Sequence, residues 1–331
     1  CSAESWPEFL GGSAVSPTPT PVVTEPPVST DKPPVVNPTQ LESIISDIAS
    51  VAQRADAERD GKLLEDRFTG PALQMRTANY AIRSADANYA SLPAIPSGPV
   101  EVTLPQQNDK WPRTVFVVIH DSKQADVAPT ALLLVQQSPR ENYKVVYAVQ
   151  LEAGTVLPEL AAATVGTQRL EPDVKLFALP PSQLALAFGD VMMKGKDSEF
   201  DKFFDFENST LVKSIGFDAK AARKAGIPAI AHMELANVYV DADVIPMVTN
   251  DSGAIVATYI NETETVTPVE AGALINAEGA VKTLSGVSST TKGTIATYGD
   301  QLLFYLPPAG SKQKIVLIGW ASALIAAKEV P

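Results

Sequence analysis

Cysteine and histidine are nearly missing from this 331-residue chain, which has one of the first and two of the second. A lone cysteine forms no disulfide within the chain, and the three residues together supply neither zinc-finger spacing nor a Cys-x-x-Cys pair. Positive charge is short as well: 26 Lys and Arg stand against 38 Asp and Glu, a formal net charge of −12. That balance lacks the electrostatic footprint of a nucleic-acid binder, so no nucleic-acid partner is expected. Long apolar runs are also scarce. The longest, Ile315 to Ala327, is too short to span a bilayer and contains Gly319 and Ser322. There is no phosphate-cradling glycine motif and no Gly-x-Ser-x-Gly elbow, which argues against nucleotide binding and α/β-hydrolase chemistry. No cofactor and no metal are expected.

What is present begins with Cys1, followed by Ser2, Ala3 and a tract rich in proline, threonine and valine from Ser13 to Gln40. Residues 1 to 40 hold nine of the 27 prolines, a composition that buries no core and favours extended polyproline II. At about 3.1 Å per residue such a tract reaches ~85 Å, enough to hold a folded body away from a surface. The pattern resembles a bacterial lipoprotein whose lipid-modified cysteine has become the first residue. The resemblance implies lipidation of Cys1 and a place on the outer face of the bacterial cytoplasmic membrane, extending into the cell wall. The bland alternative is a free thiol at a chance boundary. Trp6 near such an end favours the membrane interface.

Beyond the tract, 45% hydrophobic and 19% charged residues predict a globular body with a filled core. Thr39-Gln-Leu-Glu42 reads as a capping box, followed by Leu41, Ile44, Ile45, Ile48, Val51, Ala52 and Ala55 at helical spacing. A short helix over 62–68 and another over 72–84 follow. The pattern then turns to strands at 100–104, 114–120, 130–137 and 143–151. The order then repeats, with helices over 182–192, 198–204 and 211–225. Strands follow at 232–240, 244–249, 254–261, 281–284, 294–298, 301–306 and 314–321. We expect an α+β fold: a linker over 1–38, then two α+β cone-like domains over 39–178 and 179–331. Each places helices before a curved antiparallel sheet; one mixed α+β domain is the alternative.

The stretch from Ala57 to Tyr80, with Asp60-Gly-Lys-Leu-Leu and Arg67-Phe-Thr-Gly-Pro-Ala-Leu73, resembles the second and third helices of the nuclear transport factor 2-like superfamily, which includes SnoaL-like cyclases. As a whole the arrangement resembles surface lipoproteins of actinobacteria. The superfamily resemblance implies a cavity in each cone, into which a His, Asp or Tyr points where it catalyses. The candidates are His120, at the end of the apolar run Val115–Ile119 and next to Asp121, and the pair His232 and Glu234, two residues apart on one strand face. Their bland readings are a strand-end histidine bonded to a loop and a solvated sheet face. Asp241-Ala-Asp243 lacks the glycine and glutamate of a calcium loop and reads as an acidic turn. Phe200, Phe203, Phe204 and Phe206 line either a pocket or the core, and Trp111 and Trp320 read as packing residues.

These readings lead to a lipid-anchored envelope protein with a non-catalytic binding, scaffold or assembly role. Its partners would be the membrane through Cys1 and an envelope protein, a glycan or a small apolar ligand. The alternatives are an envelope enzyme with an acid–base residue in a cone, and an adhesion or surface-layer component.

Overall fold

A computed structural model describes residues 32–121, 124, 126–240 and 242–331; Cys1, Trp6, most of the Pro/Thr-rich tract and Asp241 lie outside them. The first element, α1 (Pro38–Glu58), is capped by Asn37 and starts two residues earlier than a capping box at Thr39 predicts. Asn37 accepts from the Gln40 amide at 2.9 Å while the Gln40 side chain accepts from the Asn37 amide at 3.1 Å. Pro38 then takes the first helical position, where its fixed φ fits and its missing N–H costs nothing. Leu41, Ile45, Ile48, Ala49, Ala52 and Ala55 make the buried stripe. After a 3₁₀ turn at Gly61–Leu64 comes α2 (Gly70–Ala85), with Pro71 again near its start.

Four antiparallel strands follow: β1 (Val100–Pro105), β2 (Arg113–Ile119), β3 (Thr130–Gln136) and β4 (Lys144–Leu151). The apolar run in β2 is explained by burial on both faces. Val115, Val117 and Ile119 pack against α1 and α2, while Phe116 and Val118 face a different cluster. The later part of the chain supplies α3 (Leu184–Lys194), a two-residue β5 (Phe204–Asp205), α4 (Thr210–Ile215) and α5 (Phe217–Ala225). The strands β6 (Ala231–Val238), β7 (Ile245–Val248) and β8 (Ala254–Pro268) come next. A small ladder of β9 (Ile275–Asn276) and β10 (Ser289–Thr290) encloses α6 (Gly279–Ser285), and the long strands β11 (Thr294–Leu306) and β12 (Ile315–Glu329) form the closing hairpin.

The fold is α+β. Ten strands join one sheet whose main path runs β1-β2-β3-β4-β12-β11-β8-β6, so strands from both halves of the chain belong to the same sheet. The boundary expected between 178 and 179 divides chain order and not this sheet, and Lys32–Pro331 is one compact unit. Phe116, Leu133 and Tyr147 from the early strands share a buried cluster with Ile245, Ile255, Tyr259 and Leu303 from the late ones. The sheet therefore curls over on itself around a shared core. The outer face of its late half is covered by Leu184, Phe188 and Met192 of α3 packing on Val256, Ile260, Leu302 and Phe304.

Several local expectations are corrected. Residues 281–284 are helical: Ala280, Val281 and Leu284 have 3–4 spacing and turn one face toward Ile82 and Leu324. The helix expected over 211–225 is two helices that meet at Gly216, and that over 198–204 is a 3₁₀ turn followed by β5. Residues 294–306 are one strand, where strands over 294–298 and 301–306 were expected. Gly299 is there because the Tyr259 ring lies over it, in the space a Cβ needs.

The join between the halves is narrow. β4 meets β12 through only two pairs, Gly319↔Leu151 and Trp320↔Gln150. A Cβ on Gly319 would lie 3.0 Å from the Gln150 carbonyl oxygen and 3.1 Å from a Val149 methyl carbon, so a side chain here would push the strands apart by a few tenths of an ångström. Gly319→Val is expected to lower stability by about 1–3 kcal/mol, the usual cost of overpacking. The shift of the urea midpoint measures it; an unchanged midpoint would show that the close approach is not needed.

Candidate functional site

Because β4 and β12 pair over two residues and then part, they leave a gap that α2 covers from one side. The gap is a cavity of about 430 Å³, within the range of small-molecule sites. Ala72, Met75, Leu92, Ile95, Leu151 and Trp320 supply apolar wall, and Gln301, Glu152 and Arg76 are among the polar residues there. Each of these three is positioned by a specific contact. Gln301 of β11, 1% exposed, accepts from the Ala148 backbone amide at 2.9 Å and points its own amide at the Met75 sulfur at 3.4 Å. It thus replaces a strand hydrogen bond that β12 no longer offers to β4.

Glu152, just past β4, accepts from the Ser209 hydroxyl at 2.9 Å, the Thr210 amide at 2.8 Å and the Thr210 hydroxyl at 2.6 Å. The Thr210 hydroxyl oxygen also accepts from the Trp320 indole at 3.3 Å. This chain of bonds ties the start of α4 to the pocket rim. On the opposite wall Arg76 projects from α2 with its side chain 5% exposed. It donates to Asp56 at 2.8 Å and to the Pro93 carbonyl at 2.6 Å, and lies 5.7 Å from the Phe68 ring centre. The Tyr80 hydroxyl donates to the same Asp56 oxygen. Burial, then this bond, pushes the Tyr80 hydroxyl well above the usual tyrosine range.

Behind the wall sits Asp300. It pairs across the β11–β12 ladder with Ser322, which lines the cavity. Asp300 is fully buried, and neither carboxylate oxygen has a hydrogen-bond partner. Burial first, and then the charge of Glu262, push its carboxyl up to about 7; the nearby Ser322 hydroxyl, which makes no hydrogen bond of good geometry to it, and the Lys220 ammonium oppose the rise. Lys220 is committed elsewhere, to a buried pair with Glu262 and to the Ile215 carbonyl.

The residues singled out in the sequence lie elsewhere. His120, just past β2, has its Nδ1 3.2 Å from a Glu101 carboxylate oxygen and its Nε2 buried without a partner. It does not line the cavity. His232 and Glu234 are exposed on one face of β6, the last strand of the sheet path, paired with Thr267 and Thr265 of β8. The structure brings neither histidine to the other. Phe204 and Phe206 stack at 4.7 Å within the core beneath α3, and the Trp111 indole donates to Gln136 at 2.9 Å. Trp320, read as a packing residue, packs and also lines the cavity. Cys1 and Asp241 lie outside the described residues. Among the described residues, no three His, Cys, Asp or Glu are grouped to hold a metal, and no helix is long and apolar enough to cross a membrane.

Sequence reasoning missed Arg76, Glu152, Gln301 and Asp300. For Arg76 a signal existed: it shares a helix face with Ala72 and, one turn on, with Asn79 and Tyr80, so a charge sat on a face that is otherwise buried. A family model described as a domain of unknown function (DUF8094) matches residues 32–329. No curated protein and no solved structure matches the chain.

The Asp300 carboxyl holds its proton more tightly folded, near 7, than unfolded, near 3.8. Its contribution is therefore greatest below pH 4 and declines as pH rises to 7. Asp300→Asn removes that decline. The variant is expected to exceed the parent by roughly 2–4 kcal/mol at pH 8, with the difference shrinking toward pH 4. Urea unfolding at pH 5 and 8 measures it, and a difference that does not change between them would refute the buried acid.

Proposed function

The chain belongs to the DUF8094 family, and we propose that its folded body is a carrier that binds a small, largely apolar molecule in the cavity between α2, β4 and β12. The cavity is the observation that carries this reading. A core of this size normally fills its voids, because empty space forfeits dispersion contacts along its walls. A cavity of about 430 Å³ lined by Met75, Leu92, Leu151 and Trp320 gives an apolar guest the burial that such walls otherwise lack. The polar side chains at the wall support binding over acid–base chemistry, since Glu152 is saturated by three donors and Arg76 is paired.

The envelope address is a separate part of the proposal. It rests on Cys1 ahead of the Pro/Thr-rich tract, which suits a body held off a membrane through a lipid on that cysteine. A carrier so placed would pass its guest within the cell envelope.

Native mass spectrometry of the gently purified full chain is expected to show a discrete added mass that disappears on denaturation. Ala148→Phe puts a ring into the cavity and should remove the adduct while the thermal midpoint stays within a few degrees. An adduct that persists in this variant would place the guest elsewhere, and no adduct in either form, together with no uptake of added lipids, would overturn the carrier reading. For the address, Cys1→Ala is expected to release the protein from washed cells into the medium; a variant retained as well as the parent would refute the anchor.

A further inference from the structure

The carrier reading leaves the chemistry of the guest open, and the wall itself narrows it. Arg76 is the only cation among the residues lining the cavity. Its guanidinium offers five N–H donors, of which one goes to Asp56 and one to the Pro93 carbonyl. The guanidinium thus keeps N–H groups beyond those two bonds, and its side chain, 5% exposed, lines the cavity. A guanidinium held from behind on two sides cannot swing away to find water. It is fixed in place at the wall of a mainly apolar space.

We infer that the cavity takes a single-chain amphiphile with an anionic carboxylate head, a fatty acid in chemical class, its head on Arg76 and its tail against Met75, Leu151 and Trp320. This inference rests on the carrier reading and specifies the guest. The geometry favours an anion for three reasons. An arginine fork meets a carboxylate through two parallel hydrogen bonds, which a hydroxyl or ester does not match. Asp56, which neutralises Arg76 from behind, is itself more than a quarter exposed, so its charge is screened by solvent while the guanidinium faces a low-dielectric space. The other charged group at the wall, Glu152, spends its charge on Ser209 and the first residue of α4, so it repels a guest anion less than a bare carboxylate would. The tail side is equally defined, because the Trp320 ring is held by its bond to Thr210 and presents a flat apolar face.

The test uses the full chain, stripped of copurified lipid, and three probes with the same twelve-carbon tail: dodecanoate, dodecanol and dodecyltrimethylammonium. Binding is read by calorimetry below the concentration at which the probes form micelles. Dodecanoate is expected to bind at least tenfold more tightly than either of the others, and Arg76→Gln, which keeps a donor for Asp56, is expected to bring dodecanoate and dodecanol to equal affinity. Equal binding of dodecanoate and dodecanol, or preference for the ammonium probe, overturns the head-group assignment and leaves the carrier reading standing. If none of the three binds, the carrier reading fails and this inference with it. Should Arg76→Gln not fold, Arg76→Lys retains the charge but not the fork; a preference undiminished in Arg76→Lys would overturn the bidentate contact.

Discussion

Two residue pairs hold the halves of this sheet together, and most of the architecture follows from them. Gly319↔Leu151 and Trp320↔Gln150 are the whole of the ladder between β4 and β12, whereas the neighbouring β11–β12 ladder runs for twelve pairs. A short join lets the late strands swing away from the early ones. That swing curls the sheet around its shared core and leaves backbone on β4 in need of a partner. Gln301 fills that need from β11, and the space left over becomes the cavity. Close approach, curvature and pocket are thus consequences of one constraint, a glycine where two strands meet for the length of a single pleat.

The interior tolerates unusual polarity near this join. Arg76, Gln301 and Asp300 are all buried within the same neighbourhood, each by a different route. Arg76 is paired and bonded to a carbonyl; Gln301 is bonded to backbone. Asp300 is left to resolve its burial by keeping a proton, which costs less than burying a bare charge without a donor. The nearby Lys220–Glu262 pair shows the other solution, in which two charges are buried together. Such groups give up stability that apolar side chains of the same size would have supplied.

Periodicity made the elements legible and left their assembly obscure. The stripe on α1 and the four early strands follow from 3.6- and 2-residue spacing and were read within a residue or two, whereas the closing hairpin was read at its turn but its strands run seven and eight residues further, to Thr294 and Glu329. The repeated order of helices and then strands is also real in chain order: α1 and α2 precede β1–β4, and α3 to α5 precede β6–β12. Nothing in the spacing of Lys144–Leu151 or Ile315–Glu329 says that these two strands meet, because pairing between distant strands is decided by side-chain fit in the folded core. The expected strands stopped short on either side of Gly299 and Asp300, and only the Tyr259 ring across the ladder shows why a glycine sits inside the strand. The cavity was invisible for a related reason. A pocket is an absence of side-chain volume among residues far apart in sequence, and no local pattern records it. His120, His232 and Glu234 drew notice as rare or titratable residues, yet the structure places them at a strand end and on an exposed edge.

The position of β12 also orders events in time. It is the latest strand of the sheet in chain order, yet it lies at the middle of the sheet path, with β4 on one side and β11 on the other. Until Ile315–Glu329 is made, β4 presents an open edge and the shared core has no closure. The early half therefore waits, with its helices in place and one flank exposed, for a segment that begins 164 residues after β4 ends. Sheets closed by such distant pairing fold slowly and are open to wrong partners in the interval. Folding piece by piece as the chain emerges therefore cannot complete this sheet, and its closure falls to the end of synthesis.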